Sequence, residues 1–371
     1  MRFQCAVASL QETVATVIRA LNVRPESPAL ECVLIETTPS GIRMFCTDLS
    51  IGIESSLPAT VIQEGSVILP GKLFADIVRK LPADIVHFHS ADDQRTTIRC
   101  GGSRTVMKGF PSNIYPQLPQ IPENITISIP QKRLRSMIQK TIFSIAADET
   151  RPILTGALLE IEPTGLTMVA LDGFRLAISR THLQTNQNEA HAVIPGKALA
   201  ELLHIIEDKD DVIDLSLNDK YAAFTLASTQ FITRLLEGEF MRYRQILPTE
   251  HTTRAVVPKH AFADSIARAS LIALEGKNNL VRIQIEKDIL TLTSNSDNNQ
   301  IEEIIQPVEI DGKSLEIAFN VKYLTDINRV IEDDTYQMLF QTPISPCVFK
   351  PIEGDAFLFL VLPVRVVPVL T

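Results

Sequence analysis

"VILPGKLFADIVRKLP", residues 67–82, sets a glycine and a lysine where a strand runs into a helix. A phosphate-binding loop occupies such a place, but its chemistry is missing here. That loop needs a glycine five residues before the Gly-Lys pair, so that backbone N–H groups turn toward the phosphates. It also needs a Ser or Thr after the lysine to hold the metal. Position 66 is Ser66, and Leu73 follows the lysine.

The stretch instead recurs, as "VIPGKALAELLHII" over 193–206 and "AFNVKYLTDINRVI" over 318–331. Lys72, Lys197 and Lys322 are spaced by 125 and 125, and the positions after them match without gaps: Phe74, Leu199 and Leu324, then Asp76, Glu201 and Asp326. A second register, in "MFCTDLSIGI", "MVALDGFRLAI" and "TLTSNSDNNQI", aligns Asp48, Asp172 and Asp297 at spacings of 124 and 125. Two registers with one period predict three diverged copies of a unit of ordinary domain size.

Each copy reads as a helix, alternating strands, a second helix and more strands. Helices are expected over 9–22, 71–80, 131–141, 196–207, 258–272 and 320–332. Their apolar residues fall on one stripe, such as Leu10, Val14 and Val17, or Phe74, Ile77, Val78 and Leu81. Period-two runs between them are strands. The fold class is α+β, with antiparallel sheets carrying two helices per domain on one side. Proline-rich stretches at 109–124 and 247–258 put the domains at 1–120, 121–250 and 251–371.

Composition narrows the function. The 371 residues suffice for two or three domains with cores, and 45% hydrophobic content is that of a folded soluble chain. The N-terminus lacks a signal-peptide pattern, and no stretch approaches the roughly 20 apolar residues of a membrane span. The five cysteines are scattered and form no CxxC, which suits a reducing, cytoplasmic setting. The net charge of −9 argues against an open DNA-binding face. Its distribution is uneven, however. The six expected helices hold 13 Lys and Arg against 7 Asp and Glu, a balance of +6 that leaves −15 for the rest. Lys72, Lys197 and Lys322 stand near helix N-termini, against the helix dipole. A cation repeated three times in that position points to an external anion.

The three-fold repeat with basic helices resembles the bacterial sliding clamp family, the beta subunit of replicative DNA polymerase. "VALDGFRLAISR" (169–180) resembles its Thr-Asp-Gly-His-Arg-Leu-Ala signature. "ETRPILTGALLEIE" (149–162), "GEFMRYRQILP" (238–248), "FLFLVLPVRV" (357–366) and "NVRPESPALECVLIE" (22–36) match other segments of the family in order. The resemblance implies three clamp domains and a head-to-tail homodimeric ring with helices inside. Duplex DNA threads the ring and is held by topology, without base readout. It implies a processivity factor for DNA replication rather than an enzyme, with no cofactor and no metal. Arg24 is the family's loop arginine. Lys72, Arg79, Lys80, Lys132, Arg133, Arg135, Lys197, Lys259 and Lys322 are DNA-contact candidates from their helix positions.

The resemblance also implies a pocket between the central and C-terminal domains. There the polymerase, clamp loader, repair proteins and ligase dock short peptides. Its matches are Leu154, Leu171, Gly173, Phe174, Arg175, Leu176, Met241, Tyr243, Ile246, Pro346, Val361, Leu362, Pro363, Val364 and Arg365. Aliphatic side chains would seat a Leu or Phe anchor, and Arg175 and Arg365 would offer donors. Phe174 replaces the family's histidine, Leu171 its threonine and Gln245 a frequent arginine, and the tail "VPVLT" (367–371) runs past the usual end. For the dimer, Thr105 and Met107 would meet Leu271 and Ile272, with edge strands joining across the contact.

Other constellations read as structural. His87 and His89 share a strand face without a third metal ligand. Asp92-Asp93, Asp210-Asp211 and Asp333-Asp334 read as turns. A rival enzyme of three α+β repeats would enrich one copy in Asp, His or Cys, and none is so marked. A non-replicative ring or scaffold is the other alternative; loading on DNA separates it from a replicative clamp.

Overall fold

The structure, a computed structural model, describes residues 1–21, 27–116, 125–185, 189–276 and 279–365. Three runs of elements repeat one order. The first is β1 (Arg2–Ala6), α1 (Val7–Val17), β2 (Cys32–Thr38), β3 (Gly41–Thr47), β4 (Ile51–Pro58), β5 (Thr60–Gln63), β6 (Ser66–Pro70), α2 (Gly71–Arg79), β7 (Ile85–Ser90), β8 (Arg95–Cys100) and β9 (Ser103–Lys108). The second is β10 (Ile125–Pro130), α3 (Gln131–Thr141), β11 (Gly156–Glu162), β12 (Gly165–Leu171), β13 (Arg175–His182), β14 (Ala190–Pro195), α4 (Gly196–Leu203), β15 (Val212–Leu217), β16 (Tyr221–Leu226) and β17 (Thr229–Arg234). The third is β18 (Thr253–Pro258), α5 (Lys259–Glu275), β19 (Leu280–Ile285), β20 (Leu290–Asn295), β21 (Gln300–Ile305), β22 (Glu309–Gly312), β23 (Leu315–Asn320), α6 (Val321–Val330), β24 (Thr335–Phe340), β25 (Cys347–Lys350) and β26 (Phe357–Val361). Among the described residues the second run has no counterpart of β5 or β22.

Each helix starts on the residue after a strand ends. Four of these strands end in proline, at Pro70, Pro130, Pro195 and Pro258. Proline has no N–H to leave unpaired where the ladder stops, and its fixed φ suits the turn. At α6 the side chain of Asn320 caps instead, accepting from the Lys322 N–H at 2.9 Å. The glycine of the Gly-Lys pair is a packing residue. A Cβ on Gly196 would lie 3.0 Å from the Thr155 carbonyl oxygen, and one on Gly71 2.6 Å from Leu21 Cδ1. The first helix of each repeat opens on another shared device. The carbonyls of Asp84, Asp211 and Asp334 accept from Val7 (3.1 Å), Gln131 (2.8 Å) and Lys259 (2.8 Å). Asp84 is thus the first-repeat equivalent of Asp211 and Asp334. Asp93 sits in the β7–β8 turn, accepting from the Arg95 N–H at 3.1 Å.

The second register needs a correction by one residue. The Asp48 N–H bonds the Ile51 carbonyl, the Asp172 N–H that of Arg175, and the Ser296 N–H that of Asn299. Ser296, not Asp297, is therefore the third equivalent, because a serine hydroxyl holds the turn where the other copies use a carboxylate. Helix ends also differ from expectation. The first helix begins at Val7, the fourth ends at Leu203, and the fifth runs on to Glu275.

All sheets are antiparallel. Their orders are β5-β1-β7-β8-β9, β10-β15-β16-β17-β4-β3-β2-β6, β14-β11-β12-β13-β26-β25-β24-β18-β22 and β21-β20-β19-β23. The two large sheets cross repeat boundaries, through β17 on β4 and β26 on β13. Packing accordingly gathers Met1–Lys132 with Ala200–Leu235, and Arg133–Leu199 with the described residues from Leu236 on. In the second of these units, Phe262, Ile266 and Ala269 of α5 and Leu324 and Ile327 of α6 are buried in one core. They pack there with Ile283 and Leu292 of the four-stranded sheet and Met338, Phe349 and Phe359 of the nine-stranded one. Burying these apolar faces is what selects helix over loop in segments of modest intrinsic propensity. Replacing Gly196 by valine drives a branched side chain into the Thr155 carbonyl. The expected loss is about 1–3 kcal/mol, read as a lowered Tm; an unchanged Tm would remove the packing role.

Candidate functional site

The turn that opens β13 is built by Asp172. One carboxylate oxygen accepts from the backbone N–H of Phe174 (2.9 Å) and of Arg175 (3.0 Å). Gly173 takes φ +91 between them, a conformation that favours glycine. The turn pushes Phe174 outward, 60% exposed, where it stacks on Tyr323 of α6 at 6.5 Å between centroids. Arg175 turns the other way. Its Nε donates to Asp172 (2.9 Å) and its Nη1 to Asp326 of α6 (2.7 Å). Its guanidinium lies over the rings of Tyr323 (4.6 Å) and Phe143 (5.3 Å). With the side chain 9% exposed, Arg175 braces the turn against α6 rather than offering these donors to a ligand. Burial pushes the Tyr323 phenol up, with the Asp172 carboxylate adding to it.

Beneath this turn lies an apolar cluster on one face of the nine-stranded sheet. Leu154, Leu171, Leu176 and Tyr243 are buried in it together with Leu158, Phe240, Leu358 and Leu360. Leu171 is thus a core residue. Exposed rims flank the cluster at Met241, Ile246 and Leu362. Segment 362–365 runs between the turn and β23: the Leu362 N–H donates to the Phe174 carbonyl and the Val364 N–H to that of Ala318, each at 2.8 Å. Pro363 and Val364 are half-buried and Arg365 exposed; Val361 is buried in the core of the unit, and Pro346 is half-buried. Residues 240–245 also wall a cavity of about 600 Å³ with Glu160, His191 and Val193. Sequence reasoning missed Tyr323, Asp326 and Phe143. The first two sit two and five residues past the repeat's glycine-or-valine position, Val321 here, off the core stripe of Leu324 and Ile327. The tail 367–371 and Arg24 lie outside the described residues.

Among the described residues the candidate DNA contacts are all on helices except Lys80, which directly follows α2. Lys72, Arg79, Lys80, Lys132, Arg133, Lys197 and Lys322 are exposed; Arg135 and Lys259 are half-buried. Several are already engaged. Lys132 meets Asp210 at 2.6 Å, Arg79 meets Asp76 at 2.5 Å, and Arg133 donates to the His182 carbonyl at 2.7 Å. His87 and His89 both lie on the exposed face of β7.

The candidate dimer residues lie at or beside two sheet edges. Thr105 and Met107 are on β9, the edge of the five-stranded sheet. Leu271 and Ile272 are on α5, which packs on β21, the edge of the four-stranded sheet. Leu271 is 66% exposed, and so nearly are Leu274 (61%), Ile304 (62%) and Leu73 of α2 (54%). These last three escaped the sequence reading. Leu73 stands where the other repeats have Ala198, which is buried, and Tyr323, which packs on Arg175.

The chain matches the models of the DNA polymerase III beta subunit: its N-terminal domain over 1–119, its central domain over 128–242 and its C-terminal domain over 244–365. It is 32% identical over 376 residues to the beta sliding clamp of Bacillus subtilis (strain 168), covering 98% of this chain and all of that one. It is 33% identical to that of Halalkalibacterium halodurans over 367 residues, covering 95% and 97%. The crystal structure of the Bacillus subtilis sliding clamp superposes with a TM-score of 0.96 at 31% identity, over 99% of this chain and 100% of that one. A Pseudomonas aeruginosa clamp bound to griselimycin superposes at 0.93 with 25% identity, over 99% and 100%. With all three domains matched in order along the whole fold, the chain belongs to the DNA polymerase III beta subunit family, the bacterial sliding clamps.

Proposed function

We propose that two copies of this chain close head to tail around duplex DNA in the cytoplasm and tether the replicative polymerase. The observation that carries this is a pair of strand junctions with one missing member. β17 pairs with β4 from Thr229↔Ser55 to Thr233↔Ile51. β26 pairs with β13 from Phe357↔Ser179 to Val361↔Arg175. These positions are equivalent, and so are the bonds that end each junction. Ser56 N–H donates to Ser228 (2.9 Å) as Arg180 does to Ala356 (2.8 Å), and Arg234 donates to Ser50 (2.9 Å) as Leu362 does to Phe174 (2.8 Å). Carried one repeat further, the rule pairs β9 with β21 of a second copy. Ser103 meets Glu303, Arg104 meets Glu302, Thr105 meets Ile301, Val106 meets Gln300 and Met107 meets Asn299. Arg104 then faces a carboxylate, and Leu73, Leu271 and Leu274 gain cover. Two copies satisfy both edges, which removes an aggregation liability.

The tether works by topology, so DNA affinity stays modest. Lysines near helix starts meet phosphates in any sequence. The groove formed by Phe174, Met241, Ile246, Leu362 and segment 363–365 takes an extended partner peptide with an apolar anchor. That is how polymerase, clamp loader, repair proteins and ligase would share it. The protein acts by holding its partners, without catalysis of its own.

Oxidising Thr105→Cys, Ile301→Cys protein should give a covalently closed dimer, because the five native cysteines are all buried. A chain that stays monomeric on a denaturing gel would refute the register. Lys72→Glu with Lys322→Glu should weaken duplex binding and flatten log K against log salt by about 0.9 for each phosphate contact removed. An unaltered slope would put the DNA elsewhere.

A further inference from the structure

Glu160 stands in the middle of β11, on the sheet face that carries the apolar cluster, with its side chain only 16% exposed. The segment after β17 crosses this face. It is tied at its start by the Leu236 N–H to the Val193 carbonyl at 2.9 Å. At its centre Tyr243, 2% exposed, packs its ring among Leu154, Leu171 and Leu176 and donates its hydroxyl to Glu160 at 2.7 Å. Arg244 grips the same carboxylate with two bonds of 2.8 Å from the outer side. The crossing segment is then turned tightly: the Tyr243 N–H donates to the Met241 carbonyl at 2.7 Å and the Gln245 N–H to that of Arg242 at 3.1 Å. Met241, 38% exposed, and Ile246, 46% exposed, emerge from either side of the pinned tyrosine. Their positions therefore follow from where the phenol is held. Burial, and after it the bond to Glu160, pushes the Tyr243 phenol well above the ordinary tyrosine range, so it remains a donor.

We infer that Glu160 is a positioning residue of the docking groove, which holds Met241 and Ile246 at peptide-binding geometry through the Tyr243 hydroxyl. Glu160 touches no peptide itself, and its role presupposes the docking groove proposed above. A buried hydroxyl that loses its acceptor either stays unsatisfied or swings out to water. Either response shifts the wall that Met241 and Ile246 form. Arg244 is mostly exposed and screened by solvent, so it adds little to this hold.

The test titrates the full-length protein with a fluorescent short extended peptide that carries Leu and Phe anchors, with Tm recorded in parallel. Glu160→Ala and Tyr243→Phe should each raise Kd about fivefold to tenfold, the size of one lost buried hydrogen bond. The double variant should lose no more than either single one, since both remove the same bond. Glu160→Gln keeps an acceptor and should bind within about twofold of the parent. A general loss of stability would lower Tm in all variants without this pattern in Kd. If Glu160→Ala does not fold, Tyr243→Phe against Glu160→Gln makes the same distinction. An unchanged Kd in Tyr243→Phe, or losses that multiply in the double variant, overturns the inference. Parent protein that fails to bind the peptide overturns the docking groove itself. Loss of binding in Met241→Asp with full binding in Glu160→Ala overturns only the role of Glu160.

Discussion

A β-strand edge carries a row of N–H and C=O groups that must be paired, solvated or covered. The architecture of this chain follows from how it meets that demand. Each repeat has two strands that can join the next and the previous repeat, and two of the three joins this allows are made within the chain, by β17 on β4 and β26 on β13. Both use five residue pairs in the same register and finish with the same two flanking hydrogen bonds. The joins draw the middle repeat apart, half into each compact unit. They also leave β9 and β21 as the complementary remainder, and on that remainder the proposed dimer rests.

The helix layer follows the same junctions. Arg19 of the first repeat meets Glu201 of the second at 3.4 Å, and Lys140 of the second meets Glu332 of the third at 2.9 Å. Leu271 stands in the third repeat where Arg19 stands in the first, each the thirteenth residue from a helix start. The open junction is therefore apolar where an internal one is ionic. Exposed ion pairs add little stability. A leucine contact, by contrast, gains from burial only when a partner arrives. The second internal junction also makes the candidate docking groove. Arg175, locked between Asp172 and Asp326, fixes the turn that projects Phe174. The candidate groove and a structural seam thus share one set of side chains.

Much of this was legible from residues alone. The 125-residue spacing of Lys72, Lys197 and Lys322 is met by helices that start at Gly71, Gly196 and Val321. The apolar stripes gave helix faces because burial has the helical period. The Asp297 alignment failed because Asp and Ser serve the same turn by the same oxygen geometry, so residue type misled where backbone bonding does not. The brace of Arg175 was not legible. Nothing in the spacing of Asp172 and Asp326 reports that a single guanidinium joins them, reaching across 151 positions to Asp326. Exposure was hidden too: Leu73 looks like any helix leucine until its equivalents Ala198 and Tyr323 are seen to be covered.

The pairing of β9 with β21 can be read directly by amide hydrogen exchange on the protein at concentrations well above the dimer dissociation constant. The outward amides of residues 103–108 should exchange as slowly as their equivalents in β17 and β26, those of 299–304 as slowly as theirs in β4 and β13, and both sets should speed up on dilution. Fast exchange at both edges, with β17 and β26 protected at every concentration, would mean that these edges remain free and that the two-copy closure is wrong.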